Sequence, residues 1–381
     1  MLYAGPARNS REVEQAVTLA SRVFARVDEN HEQATERKSL LVCEHPGAGK
    51  DSVVVVSSAG NKVIGAAFLI DRVLPRSSDL INGTFISSIC IDENVRGQGY
   101  SVALMDAALC ACTKRGTAIA LIVARRAVDH FYTRFGFWGI SQYSKLSVNT
   151  TALSGIPTSG LLLRTAASED LLACAALYNT TYKSLFGHCL RDSQTWHHLL
   201  KKTKYLHVHL SVFRKAESVM GYAMHDDEGN VYELCTVDTD ENLAVLALLA
   251  SQSKVPLLQL HVSPAHPVIS AMDGLDLTLS IRECPFGGHM ARVIDTAQLM
   301  TAAKRRIEQR ARTLDLGPRV ESADGFHAVW DGQSAHLRLD KPIDNLARTA
   351  RLLGVDQVTS QEATSLLDPP ISFNIPLGDQ V

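Results

Sequence analysis

Ile89-Cys90-Ile91-Asp92-Glu93-Asn94-Val95-Arg96-Gly97-Gln98-Gly99-Tyr100-Ser101 reads as a strand that ends, a turn with two glycines, and a helix that starts at once. Gly97 and Gly99 permit positive φ and let the backbone approach a ligand closely. Successive amides at a helix N-terminus carry partial positive charge and suit a pyrophosphate. Arg96 adds a cation beside them. These residues alone point to a phosphate-bearing cofactor, with a purely structural glycine turn as the alternative.

Working outward, residues 11–27 carry apolar side chains at helical spacing: Val13, Ala16, Val17, Ala20, Val23 and Phe24. Strand-like runs follow at 52–56, 63–70 and 84–91, with a mostly polar loop or hairpin at 75–83. The turn leads into a helix over 101–115, closed by Gly116. Residues 119–124 form a continuous apolar run, the mark of a strand buried on both faces. A short helix at 128–134 precedes Phe135-Gly136-Phe137, and a last strand is expected near 144–148.

Residues 154–160 look like a linker, and beyond it the rhythm repeats. Helices are expected at 170–182, 193–201 and 241–253, and strands at 206–213, 218–225, 230–237 and 257–262. Gly274 stands where Gly136 stood. The repeat is one of element order with little residue identity, so the chain reads as two copies of one α/β unit. A last block from Met290 has a basic helix at 301–312, short alternating segments, a second helix at 343–353 and an extended tail. The expected fold class is α/β: two tandem mixed-sheet units with a small α+β C-terminal domain, divided as 1–155, 161–289 and 290–381.

The 381 residues are 46% hydrophobic and 20% charged, which rules out global disorder. Thirty-eight Lys and Arg against forty Asp and Glu give a net charge of −2. A dedicated nucleic-acid binder would need a basic surplus, so none is expected as partner. The first ten residues lack an apolar core of signal-peptide length, which gives secretion no support. No apolar run approaches the ~20 residues of a membrane span, so no membrane partner is expected. Eight cysteines without a CxxC pair read as reduced thiols of a cytoplasmic protein. His197, His198, His207 and His209 lack a further ligand pattern, so no metal is expected.

Residues 96–101 resemble the phosphate signature of the GNAT family of acetyl-CoA-dependent N-acetyltransferases, Arg/Gln-x-x-Gly-x-Gly/Ala, with Ser101 in the last position. The resemblance implies the GNAT fold, with acetyl-CoA as cosubstrate and no metal. It implies that Ile89, Cys90 and Ile91 present backbone to the pantetheine arm in the manner of an added strand. Arg96, Gly97, Gln98, Gly99, Tyr100 and Ser101 would hold the pyrophosphate. In Phe131-Tyr132-Thr133-Arg134-Phe135-Gly136-Phe137, Tyr132 occupies the position of the family's general acid, which protonates the departing thiolate. Packing as an amphipathic core residue is the alternative for Tyr132.

Over the whole chain the arrangement resembles the Eis-like acetyltransferases, two GNAT units followed by a domain similar to sterol carrier proteins. Residues 132–139, 163–166 and 290–295 carry this likeness. It implies that the terminal carboxylate, here Val381, serves as base. The second unit has Asp238-Thr239-Asp240-Glu241 in place of the glycine turn and Ser270 in place of Tyr132, so it is expected to be silent. The acceptor is an amine: an aminoglycoside-like small molecule or a protein lysine. A non-catalytic acyl-CoA sensor or scaffold stands as the alternative function, and a homo-oligomer is left open. Residues 28–32 are acidic and follow the first helix, where they could attract a cationic amine or simply face solvent. Residues 44–51 imitate a phosphate loop but lack its first glycine and its Ser or Thr, and read as a surface loop.

Overall fold

Alternation of apolar side chains between two faces builds the first sheet. The computed structural model describes residues 2–339, apart from 50, 59, 77–78, 125–126, 159, 183–184, 186, 264–265, 273, 276, 285–287 and 324–325. The chain opens with β1 (Tyr3–Pro6), α1 (Ser10–Val23), α2 (His31–Val42), β2 (Val53–Ser57), β3 (Val63–Arg76) and β4 (Asp79–Ile91). Then come α3 (Tyr100–Lys114), β5 (Ile119–Ala124), α4 (Asp129–Thr133) and β6 (Trp138–Gly139). A second series follows: β7 (Ser141–Asn149), α5 (Thr150–Leu153), β8 (Leu162–Thr165), α6 (Leu171–Tyr182), α7 (Ser193–Leu206), β9 (His209–Lys215) and β10 (Ser218–His225). It continues through β11 (Asn230–Thr236), α8 (Thr239–Gln252), β12 (Leu257–Leu260), α9 (Pro267–Ala271) and β13 (Leu277–Cys284). The last described elements are β14 (Gly288–Val293), α10 (Thr296–Thr313), β15 (Arg319–Ala323), β16 (Phe326–Trp330) and β17 (Ala335–Leu339).

The first sheet runs β1-β2-β3-β4-β5-β14-β6. Val54 and Val56 of β2 face one layer, where Leu104, Met105, Ala108, Leu109 and Cys112 of α3 are buried. Val53 and Val55 face the other, against Ala16, Val17, Leu19 and Ala20 of α1 and Leu41 and Val42 of α2. A strand of period 2 between two helical layers requires this alternation. Strand β4 is antiparallel to β3 along its whole length. To β5 it is parallel, and paired only from Gly83–Ile119 to Phe85–Leu121. Beyond Phe85, β4 runs on to Ile91 with no partner on its β5 side among the described residues.

The second sheet repeats that plan in the order β13-β7-β12-β11-β10-β9-β8. Strands β11 and β12 are again parallel and again paired over a short stretch, Asn230–Gln259 and Val231–Leu260. Three strands, β15-β16-β17, make a small separate sheet.

Two strands differ from the sequence expectation. The segment read as the last strand of the first unit is β7, and it pairs with β12 and β13 in the second sheet. The stretch at Met290, read as opening the third domain, is β14, which lies between β5 and β6 in the first sheet. Strand β5 is buried except at Val123 and is paired with β4 at three positions only, so its other edge needs a full-length partner to satisfy its backbone. Strand β14 supplies it from Val293–Ile119 to Gly288–Ala124.

Helix α2 is absent from the sequence reading. Its buried face includes Arg37 and Lys38 beside Ala34, Leu40 and Leu41, so charged residues break the apolar periodicity. The expected helix at 343–353 and the tail to Val381 lie outside the described residues.

Under α6 and α7 the second unit buries an ion pair. Arg191 holds Glu233 of β11 through two bonds, 2.9 and 2.7 Å, with both side chains fully shielded. Tyr222 donates to the same carboxylate at 2.6 Å, and the guanidinium stands 3.9 Å from the Tyr178 ring centre. Removing one partner strands the other in the core. Glu233→Ala is therefore expected to cost about 3–5 kcal/mol, read as a lower urea midpoint for the second unit; an unchanged midpoint would show the pair to be solvated.

Candidate active site

The turn before α3 is anchored first. Asp92 is buried, accepts the Asn94 amide at 3.1 Å, and pairs with Arg22 at 3.1 Å. These donors hold its carboxyl below the usual range, so it is a charged peg that ends β4. Its own amide bonds to the Ile64 carbonyl at 2.8 Å. From there the chain turns through Gly97 (φ 80°) and Gly99 (φ 81°). Nothing lies within 4 Å of the place where a Cβ would stand on either glycine. The glycines are thus required by backbone conformation, and the space above them is open.

Gly99 is the N-cap of α3 and offers no side chain to the helix. No described residue accepts the amides of Gly97, Gln98, Gly99, Tyr100 or Ser101. Helix starts normally have such amides satisfied by a cap. Here they are left bare on a surface where Arg96, Gly97, Gln98 and Gly99 are exposed. An anion with several acceptor oxygens is the natural complement.

In the second unit the same place is closed. Asp238 caps α8, its carboxylate accepting the Glu241 amide at 3.0 Å. The chain has supplied its own anion there. Ser270 spends its hydroxyl on the Pro267 carbonyl, 2.9 Å away.

Ile89 and Ile91 pack on the α3 layer together with Tyr100 and Tyr132, which places these four sequence-predicted residues in one layer. Cys90 points to the opposite layer and is 5% exposed. Burial pushes its thiol up to about 12, so only its backbone is available to a ligand. The register of β3 and β4 shifts between Ala66 and Phe68, and opposite the shift Ser88 has φ 51°. This bulge re-aims the backbone at the point where β4 has left β5.

Tyr132 sits in the short helix α4, half-buried against Phe131 (ring centres 5.3 Å) and Phe137 (6.3 Å). Its hydroxyl has no hydrogen-bond partner among the described residues. Burial raises its pKa, so the phenol keeps its proton across the neutral range. Gly136 (φ 75°) ends the helix and lets Phe135 and Phe137 turn into the core.

Other sequence signals resolve into structure. Glu29, within the acidic stretch, is taken by Arg37, which pulls it down to about 2. It braces the loop between α1 and α2. In the loop that imitates a phosphate site, the Gly47 amide donates to His45 Nδ1 at 2.9 Å. Among the described residues no cluster of His, Cys, Asp and Glu could hold a metal, and no helix is long and apolar enough to cross a membrane. Val381 lies outside the described residues. One functional-site neighbour escaped the sequence reading: Lys38, buried in α2, whose Nζ is 2.8 Å from Ser88 Oγ.

Residues 7–141 match the profile of the acetyltransferase (GNAT) domain family. No curated protein matches the sequence. Among solved structures, a GCN5-related N-acetyltransferase from Anabaena variabilis ATCC 29413 is similar over 100% of both chains, at 12% identity and TM-score 0.69. One from Kribbella flavida is similar over 99% of this chain and 97% of its own, at 14% identity and TM-score 0.68. Eis1 from Mycobacterium abscessus is similar over 100% of both, at 16% identity and TM-score 0.65. These likenesses extend the fold beyond the matched domain. The profile over residues 7–141 makes the first unit an acyltransferase domain, and the solved structures share the fold along the whole chain.

Proposed function

We propose that the first unit transfers an acetyl group from acetyl-CoA to a primary amine by direct attack. The observation that carries this reading is the contrast between two helix starts. Helix α3 leaves its amides open beside Arg96, whereas α8 is closed by Asp238. An acyl-CoA brings a pyrophosphate for the first and would be repelled by the second.

In this reading Arg96, Gly97, Gln98, Gly99, Tyr100 and Ser101 hold the pyrophosphate. The backbone of Ile89, Cys90 and Ile91 lines the pantetheine arm. The neutral amine attacks the thioester carbonyl, and the C–N bond forms as negative charge gathers on oxygen. Backbone amides of β4 near Ile91 receive that charge. The C–S bond then breaks, Tyr132 gives its proton to sulfur, and a base takes the proton of the new ammonium. The Val381 carboxylate is our candidate for that base, by the Eis-like resemblance.

The same resemblance supports a tandem origin for the units read as 1–155 and 161–289, with β7 counted to the second sheet and β14 to the first, and with the sterol-carrier-like block beginning after β14 rather than at 290. The order β1-α1-α2-β2-β3-β4-α3-β5-α4 is matched by β8-α6-α7-β9-β10-β11-α8-β12-α9, in keeping with duplication. Seven described cysteines form no disulfide, in keeping with the reducing cytoplasm.

The test is free-thiol release on mixing the protein with acetyl-CoA and a panel of aminoglycosides, polyamines and lysine peptides, alongside calorimetric titration with acetyl-CoA. Sustained release and one site per chain are expected. Binding without release from any amine would make the protein a sensor or scaffold, and two equivalent sites would contradict the silence of the second unit.

A further inference from the structure

Lys38 is a cation in a place that should exclude one. Its side chain is 5% exposed, and burial pulls its ammonium down to about 8. No carboxylate pairs with it among the described residues. Its Nζ donates to Ser88 Oγ at 2.8 Å and stands 4.7 Å from the centre of the Phe24 ring. The charges around it are otherwise committed or of the same sign. Glu29 is bound to Arg37, Arg22 to Asp92, and Arg26 and Arg37 both oppose a further cation. Among the described residues the Cys90 thiol is the other titratable group that acts on it, and burial keeps that thiol protonated.

Its partner is equally unusual. Ser88 holds φ 51°, a left-handed region that non-glycine residues rarely adopt and that persists only where neighbours fix it. This strained residue is the bulge of β4, between Ser87 opposite Phe68 and Cys90 opposite Ala66. It also lies just before Ile89 and Ile91, whose side chains face the α3 layer, while Lys38 reaches Ser88 from α2 on the other side of the sheet. A post with three protons and one hydrogen-bonded acceptor therefore stands directly behind the backbone that the transfer reaction would use.

We propose that Lys38 is a positioning residue for acyl transfer: by donating to Ser88 it fixes the bulge of β4 and so aims the backbone amides at the acyl carbonyl. This rests on the acyltransferase reading given above. A methionine of similar volume would fill the same space at no desolvation cost, so what the cation adds is the bond to Ser88.

The test uses the full chain and calorimetric titration with two probes, CoA and acetonyl-CoA, the uncleavable ketone analogue whose carbonyl stands one methylene beyond the sulfur. The parent is expected to bind acetonyl-CoA about tenfold more tightly than CoA, the size of one well-placed hydrogen bond. Lys38→Met and Ser88→Ala are each expected to lose most of that difference while binding CoA within about twofold of the parent. The double variant should be no worse than the poorer single one, because the two residues act through one bond. A merely structural role would weaken both probes alike. Retention of the difference in Lys38→Met overturns the proposal, and should that variant fail to fold, Ser88→Ala decides. A parent that binds both probes equally also overturns it and leaves the acyltransferase reading standing. A parent that binds neither removes that reading, and the proposal with it.

Discussion

The Arg96→Glu, Gly99→Asp double variant is expected to bind acetyl-CoA at least about 100-fold more weakly than the parent while melting within a few degrees of it. The two halves of this expectation have separate causes. Gly99 is the N-cap of α3 at φ 81° with no side chain to offer. An aspartate there sets a carboxylate beside the amides that would otherwise meet phosphate oxygens, the same sign of charge that Asp238 places at the start of α8. An aspartate cap stabilises a helix start by about 1 kcal/mol, and its strain at positive φ costs a similar amount, so the fold is nearly indifferent. Binding is not. Charge-assisted hydrogen bonds contribute about 1.5–3 kcal/mol each, and the variant loses the amides and reverses the charge at Arg96 together. Calorimetric titration gives the affinity and a thermal melt gives the stability. Unchanged affinity in a folded variant would place the cosubstrate elsewhere.

What the sequence made legible follows from how local each signal is. The turn at 96–101 is a contiguous pattern, and its glycines have the positive φ that the reading required. Strand β5 matches its expected bounds, because six apolar residues in a row need no knowledge of neighbours. The fate of the strands at 141–149 and 288–293 could not be read in this way. Their pairing joins residues far apart in sequence, and either sheet would accept their alternation. Strand β1 has only four residues, too few for a period to register. Helix α2 hid behind Arg37 and Lys38, whose burial depends on Glu29 and Ser88, partners that no periodicity announces. Its one local mark was the capping box of Asn30 and Gln33. The site residue least visible in the sequence is thus the one whose environment is built wholly by other elements.

For Tyr132 the sequence offered two readings, acid or packing residue, and Tyr132→Phe separates them. Phenylalanine keeps the ring against Phe131 and Phe137. The lost hydroxyl has no internal partner among the described residues, so its removal leaves no polar group stranded. Stability and acetyl-CoA affinity are therefore expected to stay close to those of the parent. Turnover is not, since a positioned general acid contributes about 10²–10⁴-fold, and kcat should fall by at least about 10². The pH profile gives a second reading of the same group. Burial raises the phenol above its ordinary value of about 10, so the acid form persists through the neutral range and is lost only as pH climbs past that raised value. The parent should lose activity on that alkaline side as the phenol ionises, and the variant should show no such limb. A Phe variant with parental kcat would leave Tyr132 as a packing residue, and the thiolate would then draw its proton from solvent.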